Sequence, residues 1–432
     1  MEKPFFKVLH RSKKSKARLG EIATSHGIIQ TPAFVPVATK GTLKTIPPHY
    51  LKELGVQVAF VNTYHLVNHP GADIIAKTGG IHQFSKLDIS LMSDSGGFQV
   101  FSLAKSKIEM RKSAAQISIQ KHQVKKAEIR GEEEPLIVKI SDDGVLFRST
   151  YDGKLLEFTP EKSIAYQMEI GADIMMAFDE CTPYPSTYAY ANKAMIRTHN
   201  WLKRCMEEFK IQQAKFKKKI KNSKFENCKF TGKGELDIEN YPRYLYGVIQ
   251  GGTYEALRKE SAQFVASQAT DGVAIGGVAV GEPKEEMRKE VKWVSAYLPE
   301  NKPVHLLGVG QFDDILDTVG YGIDTFDCVE PTRMGRMGHI YQKPKIKYHS
   351  DILKIKNNFT EIDIQRAVYK SDLSPVDEAC DCYVCRNFTK AYLHHLFKQK
   401  EILGYTLATY HNLFTFKFFF EKLREAISRD EI

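Results

Sequence analysis

No stretch of the 432-residue chain approaches the ~20 apolar residues needed to cross a bilayer. A membrane-spanning protein is not expected. The first seven residues carry neither a long apolar core nor a signal-like cleavage pattern, so a cytoplasmic location is expected. Cysteine is sparse: seven residues, an odd number, with three tightly clustered. That count argues against a disulfide framework and for metal binding. No glycine-rich phosphate turn follows the first strand-like run, as a doubly wound dinucleotide-binding sheet would require. Acidic residues fall short of basic ones, 52 against 62, leaving a net charge of +10. Such a balance favours an acidic partner, nucleic acid or a phosphorylated substrate, although lysine-rich insertions alone would also produce it.

Several short runs are predominantly apolar and finish on a polar residue or glycine. They are 56–62 ending on Asn62, 89–94 on Asp94, 174–179 on Asp179, 244–250 on Gln250, 273–277 on Gly277, 304–308 on Gly308 and 325–327 on Asp327. Continuous rather than alternating apolarity marks strands buried on both faces. Helix-length segments such as 254–269 and 284–297 lie between them. The pattern predicts an α/β chain forming one (β/α)8 TIM barrel across 1–432. In that architecture chemistry gathers at the C-terminal ends of the strands. Asp94, Asp179, Gln250, Gly277 and Asp327 are therefore expected to converge on one mouth. Two segments break the pattern: 105–134 carries eight Lys/Arg and 207–239 holds nine lysines. Both read as solvated surface insertions, with extra RNA-backbone contact as the alternative.

Asp327 closes the run from Gly322 and is followed at once by Cys328-Val-Glu-Pro-Thr-Arg333-Met-Gly-Arg336. A carboxylate at the tip of a buried strand is costly without a partner or a task. Two nearby arginines supply charge of the kind that grips phosphates. The segment reads as an anionic nucleophile beside a polyanion-binding loop. Taken alone, it is explained as well by an aspartate ion-paired to a local arginine. Farther on, Cys380-Asp-Cys382-Tyr-Val-Cys385 is followed 26 residues later by His411. Three thiolates and one imidazole make a closed tetrahedral site for one structural zinc, with no open position for chemistry. The intervening stretch reads as a helix that carries His411 back to the metal. His394 and His395 are rival ligands. Residues 376–415 form the expected zinc-binding subdomain.

A further set of motifs appears in register: Ser93-Asp-Ser-Gly-Gly-Phe-Gln99, Phe178-Asp-Glu-Cys-Thr-Pro-Tyr-Pro185, Gly247-Val-Ile-Gln-Gly-Gly252 and Ala274-Ile-Gly-Gly-Val-Ala-Val-Gly-Glu282. With the Asp327 segment and the cysteine cluster, they closely resemble the bacterial-type tRNA-guanine transglycosylases of the queuine tRNA-ribosyltransferase family. The resemblance spans roughly 5–426 apart from the two insertions. It implies exchange of guanine at the wobble position of tRNAs with GUN anticodons for 7-aminomethyl-7-deazaguanine. It further implies a covalent glycosyl-enzyme intermediate, a homodimer and no nucleotide cofactor.

By the same resemblance Asp327 is the nucleophile and Asp94 the general acid/base. Ser95, Gly96, Gly97, Phe98, Asp179, Gln250 and Gly277 surround the base, with Glu282 orienting a nearby peptide. The stretch Gly308, Val309, Gly310, Gln311, Phe312, Asp313 and Asp314, together with Thr332, Arg333, Met334, Gly335 and Arg336, is expected to hold the tRNA. The sequence departs from the family at Leu307, where methionine is frequent, and at Val278, where leucine is. It departs again at Met334 and Met337. Cys181 fits the bacterial pocket and favours the aminomethyl base over queuine.

Overall fold

Burial on both faces decides the central sheet. A computed structural model describes residues 4–97, 137–149, 151–222, 242–344 and 359–432. The chain enters through an antiparallel sheet, β1 (Phe6–Arg11), β2 (Arg18–Thr24) and β3 (Gly27–Thr31). It then lays down β4 (Ala33–Pro36), β5 (Val58–Val61) and β6 (Ser90–Ser93). A second antiparallel sheet follows, β7 (Ile137–Ile140), β8 (Val145–Arg148) and β9 (Leu155–Phe158). Next come β10 (Ile174–Met176), β11 (Tyr244–Ile249), β12 (Gly272–Ile275), β13 (Val304–Leu306) and β14 (Thr325–Cys328). A hairpin of β15 (His339–Gln342) and β16 (Thr360–Asp363) leads to helices Tyr383–Asn387, Lys390–Lys398 and Ile402–Ser428.

Strands β4, β5, β6 and β10 to β14 pair in parallel as one eight-stranded sheet. A bridge between Val37 and Phe60 and the bond from Ala38 N to Phe60 O (2.7 Å) join its first strand to β5 and close the barrel. Seven of these strands are the seven apolar runs. The eighth, β4, is only four residues long and lacks a sequence signal of its own. The helix Tyr188–Asn222 runs into the lysine-rich segment 207–239, so the first part of that segment is a helical extension. The segment 105–134 lies outside the described residues.

Side chains alternate across each strand. Val35, Phe60, Met92, Met176, Val248 and Ala274 form one apolar cluster inside the barrel, joined by Ile22 and Ile29 of the entry sheet. Leu91 turns outward, and so do Met175, Ile249, Ile275, Leu306 and Phe326, into the clusters that contain the helices. Two residues beyond the inward-facing Phe60, Met92, Val248 and Thr325 stand Asn62, Asp94, Gln250 and Asp327. The period of two therefore delivers polar side chains to the same opening. Loops between strand and helix follow local rules. Thr159 caps helix Pro160–Ile170 by accepting from Lys162 N, and Gly171 ends it at φ 86°.

The opposite face of the barrel is sealed by the entry sheet. Phe5 stacks on Tyr244 with ring centroids 3.6 Å apart. Buried Arg18 reaches Asp324, just before β14, through Nε–Oδ1 (2.9 Å) and Nη2–Oδ2 (2.5 Å). The same guanidinium donates to the carbonyls of Glu300 and Lys302, each at 2.8 Å. Removing one partner of such a pair strands the other charge in an apolar setting. Arg18→Met is expected to destabilise the protein by about 3–5 kcal/mol, read as a lowered urea midpoint. A loss below about 1 kcal/mol, the scale of an exposed pair, would count against this role.

Candidate active site

Asp94 continues β6 into the mouth. Its Oδ1 accepts from Thr63 N (2.7 Å) and Gly96 N (3.3 Å), and its Oδ2 from the amide of Asn62. Asn62 is held in that orientation because its own Oδ1 caps helix Thr63–Asn68 through His65 N (2.9 Å). Burial pushes the Asp94 carboxyl up to about 7. The Thr63 and Gly96 amides pull the other way, and the like charges of Asp179 and Asp327 add to the rise. The parallel strands β6, β10 and β14 carry these three carboxylates to the same end of the barrel.

Asp179 and Gln250 form the wall beside Asp94. Gln250 Nε2 donates to Asp179 Oδ2 (2.7 Å), and Ser95 Oγ donates to Oδ1 (3.0 Å). Burial raises the Asp179 carboxyl to about 6 against the pull of both donors. Gln250 keeps a second N–H, and its buried Oε1 receives no donor among the described residues. Gly97 is required by space, since a Cβ there would lie 2.3 Å from Asp179 O. Gly277 sits at φ +61°, and a Cβ there would lie 2.2 Å from Gln250 Oε1. Glu282 accepts from the amides of Ala279 and Val280 (2.9 Å for the latter), the peptide-orienting geometry expected of it. Phe98 lies outside the described residues.

Among the residues that escaped the sequence reading, two stand out. Arg258, wholly buried, donates to Gly252 O (2.6 Å), Gly276 O (2.5 Å) and Gly277 O (2.6 Å), and pairs with Glu290 (2.7 Å). It fastens the loops after β11 and β12 to one another. A single arginine in an amphipathic helix gives no sequence sign of this. The other is His305, whose Nε2 lies 3.1 Å from Asp327 Oδ1, an oxygen that also accepts from Gly308 N (2.9 Å). Its signal was a lone polar side chain within an apolar strand.

Residues 330–336 are a helix, Glu330–Arg336, rather than a loop, with Pro331 in its first turn. Spacing of three puts Arg333 and Arg336 on one side, while buried Thr332 and Gly335 turn inward and Met334 packs against the core. Lys44 is lowered by burial and then by Arg336, Lys40 and Arg333, so four cations gather beside the mouth. Most of the stretch 308–314 has partners within the protein. Val309 and Gly310 are buried, and Phe312 stacks on Phe359 with centroids 4.0 Å apart. Asp313 and Asp314 are engaged by Arg288 (2.7 and 2.6 Å). Gln311 donates to Glu330 (2.9 Å). Of this stretch, exposed Gly308 is the residue turned to the mouth, through its amide on Asp327.

Cys380, Cys382, Cys385 and His411 are buried together, their ligand atoms all within 4.8 Å of one another. His411 Nδ1 lies 3.5 Å from Cys382 Sγ and 3.3 Å from Cys385 Sγ. A tetrahedral ion with bonds of about 2.3 Å to sulfur and about 2.0 Å to nitrogen sets an edge of about 3.5 Å. His411 Nε2 donates to Tyr341 O (2.7 Å), which leaves Nδ1 free to ligate. The donor set fits a metal ion. His394 is instead buried against Ile364 O (2.8 Å), and His395 is exposed. The expected single helix between Cys385 and His411 is broken: Lys390–Lys398 ends and Ile402–Ser428 begins, with Lys400 at φ 59° between them.

The folded pKa of Asp94 lies above that of an unfolded aspartate, ~3.9. Its contribution to stability is thus complete below about 4 and is lost as pH rises through about 7. Asp94→Asn removes that loss, so its melting temperature relative to wild type should climb between pH 4 and 7. A pH-independent difference would contradict the burial of this charge.

A family model described as queuine tRNA-ribosyltransferase matches residues 12–130 and 133–432. A protein named queuine tRNA-ribosyltransferase from Caldanaerobacter subterraneus subsp. tengcongensis is 40% identical over 428 residues, covering 99% of this chain and 94% of its own. One of the same name from Thermoanaerobacter pseudethanolicus is 40% identical over 427 residues with the same coverage. Another from Natranaerobius thermophilus is 40% identical over 419 residues, covering 97% and 93%. With barrel, carboxylate-lined mouth and cysteine cluster in place, the chain belongs to the queuine tRNA-ribosyltransferase family and is a tRNA-guanine transglycosylase.

Proposed function

We propose that the protein exchanges guanine at the wobble position of GUN-anticodon tRNAs, those for aspartate, asparagine, histidine and tyrosine, for 7-aminomethyl-7-deazaguanine. The observation that carries this reading is the unequal treatment of carboxylates at one opening. Asp94 is raised toward neutrality, whereas Asp327 has Oδ1 tied to two groups and no donor on Oδ2 among the described residues. Split environments support split roles.

In the first half, Asp327 Oδ2 attacks the ribose anomeric carbon as the bond to guanine N9 breaks. The electron pair of that bond stays with guanine, and Asp94 supplies the proton the base takes up. In the second half, Asp94 removes a proton from the incoming base, whose ring nitrogen attacks the same carbon. The ester bond to Asp327 breaks, and its electrons return to the carboxylate. Asp179 accepts from the N–H edge of the base, and the free N–H of Gln250 donates to its carbonyl oxygen. The base leaves the anticodon stack to reach these groups. Arg333, Arg336, Lys40 and Lys44 hold flanking phosphates.

The metal of the Cys380, Cys382, Cys385 and His411 cluster is assigned as one structural zinc, since four protein ligands suit zinc and close its coordination. The reading includes a cytoplasmic homodimer, carried by family resemblance. Among the described residues, no helix is long and apolar enough to cross a membrane.

Asp327→Asn and Asp94→Asn should fold yet lose incorporation of labelled guanine into GUN tRNA by at least about 10³-fold. The tRNA adduct seen on a denaturing gel should vanish in Asp327→Asn. Turnover close to wild type in either variant would overturn these roles. Cys382→Ser should carry almost no zinc by elemental analysis and melt at lower temperature; full zinc with native melting would overturn the assignment.

A further inference from the structure

We infer that His305 is a positioning residue for the exchange reaction: aligned by Thr325, it fixes Oδ1 of Asp327 and leaves Oδ2 to attack the sugar. The inference rests on the assignment of Asp327 as nucleophile.

His305 occupies the centre of β13 and is wholly buried. An imidazole there is costly unless both nitrogens are paired. Both are: Nδ1 lies 2.8 Å from Thr325 Oγ1, and Nε2 lies 3.1 Å from Asp327 Oδ1. The pairing follows from strand register. His305 is the direct partner of Thr325 on the neighbouring β14, and Asp327 follows two residues later on the same face. Phe60 lies nearly parallel to the imidazole, centroids 5.6 Å apart, and restricts its rotation.

The proton positions follow from chemistry. An ionised carboxylate only accepts, so Nε2 carries the hydrogen that faces Asp327. In the neutral ring Nδ1 is then an acceptor, and the Thr325 hydroxyl is the donor that selects this tautomer. Gly308 N supplies a second donor to the same oxygen. Two donors converge on Oδ1 and none on Oδ2 among the described residues. In the glycosyl ester Oδ1 is the carbonyl oxygen. When the ester breaks, charge returns to the carboxylate, and both donors stabilise it as the leaving group. His305 thus acts on the orientation of the attack and on the release step, not on tRNA affinity.

The test compares wild type with His305→Leu, His305→Gln, Thr325→Val and the Asp327→Asn control. It uses steady-state exchange of labelled guanine in GUN tRNA and the chase of the preformed adduct with unlabelled guanine. His305→Leu should lower kcat about tenfold to a hundredfold, slow the chase to a similar degree and leave KM for tRNA within about twofold. His305→Gln, which retains an N–H donor, should recover most of the loss, and Thr325→Val should fall between them. Equal losses in the Gln and Leu variants, a change confined to KM, or wild-type turnover in His305→Leu would each overturn the inference. Should His305→Leu fail to fold, the other two variants decide: a lowered kcat and slowed chase in Thr325→Val with near-wild-type values in His305→Gln uphold the inference, and wild-type kcat and chase in Thr325→Val overturn it. An adduct that persists in Asp327→Asn would instead defeat the nucleophile assignment. Loss of that adduct with an unaffected His305→Leu defeats the present inference alone.

Discussion

The structure depends on what it costs to withdraw charge from water. Three carboxylates share the barrel mouth, and each is tolerated on different terms. Asp94 is cradled by backbone amides and an asparagine yet still raised by burial and repulsion. Asp179 is tied to Gln250 and Ser95. Asp327 leans on a peptide amide and an imidazole. Neighbouring groups of one chemical type are thereby given different partners, and the separate roles proposed for Asp94 and Asp327 rest on that environment rather than on the side chain. The destabilisation concentrated here is balanced by a barrel whose far face is locked by Arg18 and Asp324.

How much could be read from the amino acids depended on whether the signal was local. Seven barrel strands were legible because burial on both faces writes an apolar run into the sequence. Strand β4 was not, since four residues ending in proline resemble any extended segment. The antiparallel sheets β1 to β3 and β7 to β9 were likewise silent. Asp94, Asp179, Gln250 and Asp327 stood out as polar ends of apolar runs, and the cysteine spacing marked the metal cluster. His305 and Arg258 did not, because their meaning lies in partners 18 to 22 residues away or more, brought together only by strand register and helix packing. The partners of Phe312, Asp313 and Asp314, an aromatic cluster and Arg288, were likewise not legible from residue type.

The metal cluster is not an isolated appendage. Its three cysteines share an apolar cluster with Leu43, Ile46 and Leu51, which follow β4. His411 and Asn412 are adjacent on helix Ile402–Ser428. The first faces the cysteines, and the second donates to Pro331 O (3.1 Å) and His339 O (3.0 Å). Pro331 opens the helix that bears Arg333 and Arg336. Adjacent residues of one helix thus join the cluster to the short helix that carries Arg333 and Arg336.

The strand that bears Asp327 is flanked by β13 and by β4, and its register with β4 matches Thr325 to Ala33. Those partners are separated by about 290 residues. During synthesis β4 leaves the ribosome long before β14 exists, so the nascent sheet has an open edge until β14, about three quarters of the way along the chain, has emerged. A product truncated before β14 would lack Asp327 and the seam that seals the ring at the same time, so this carboxylate and the closed ring arrive together.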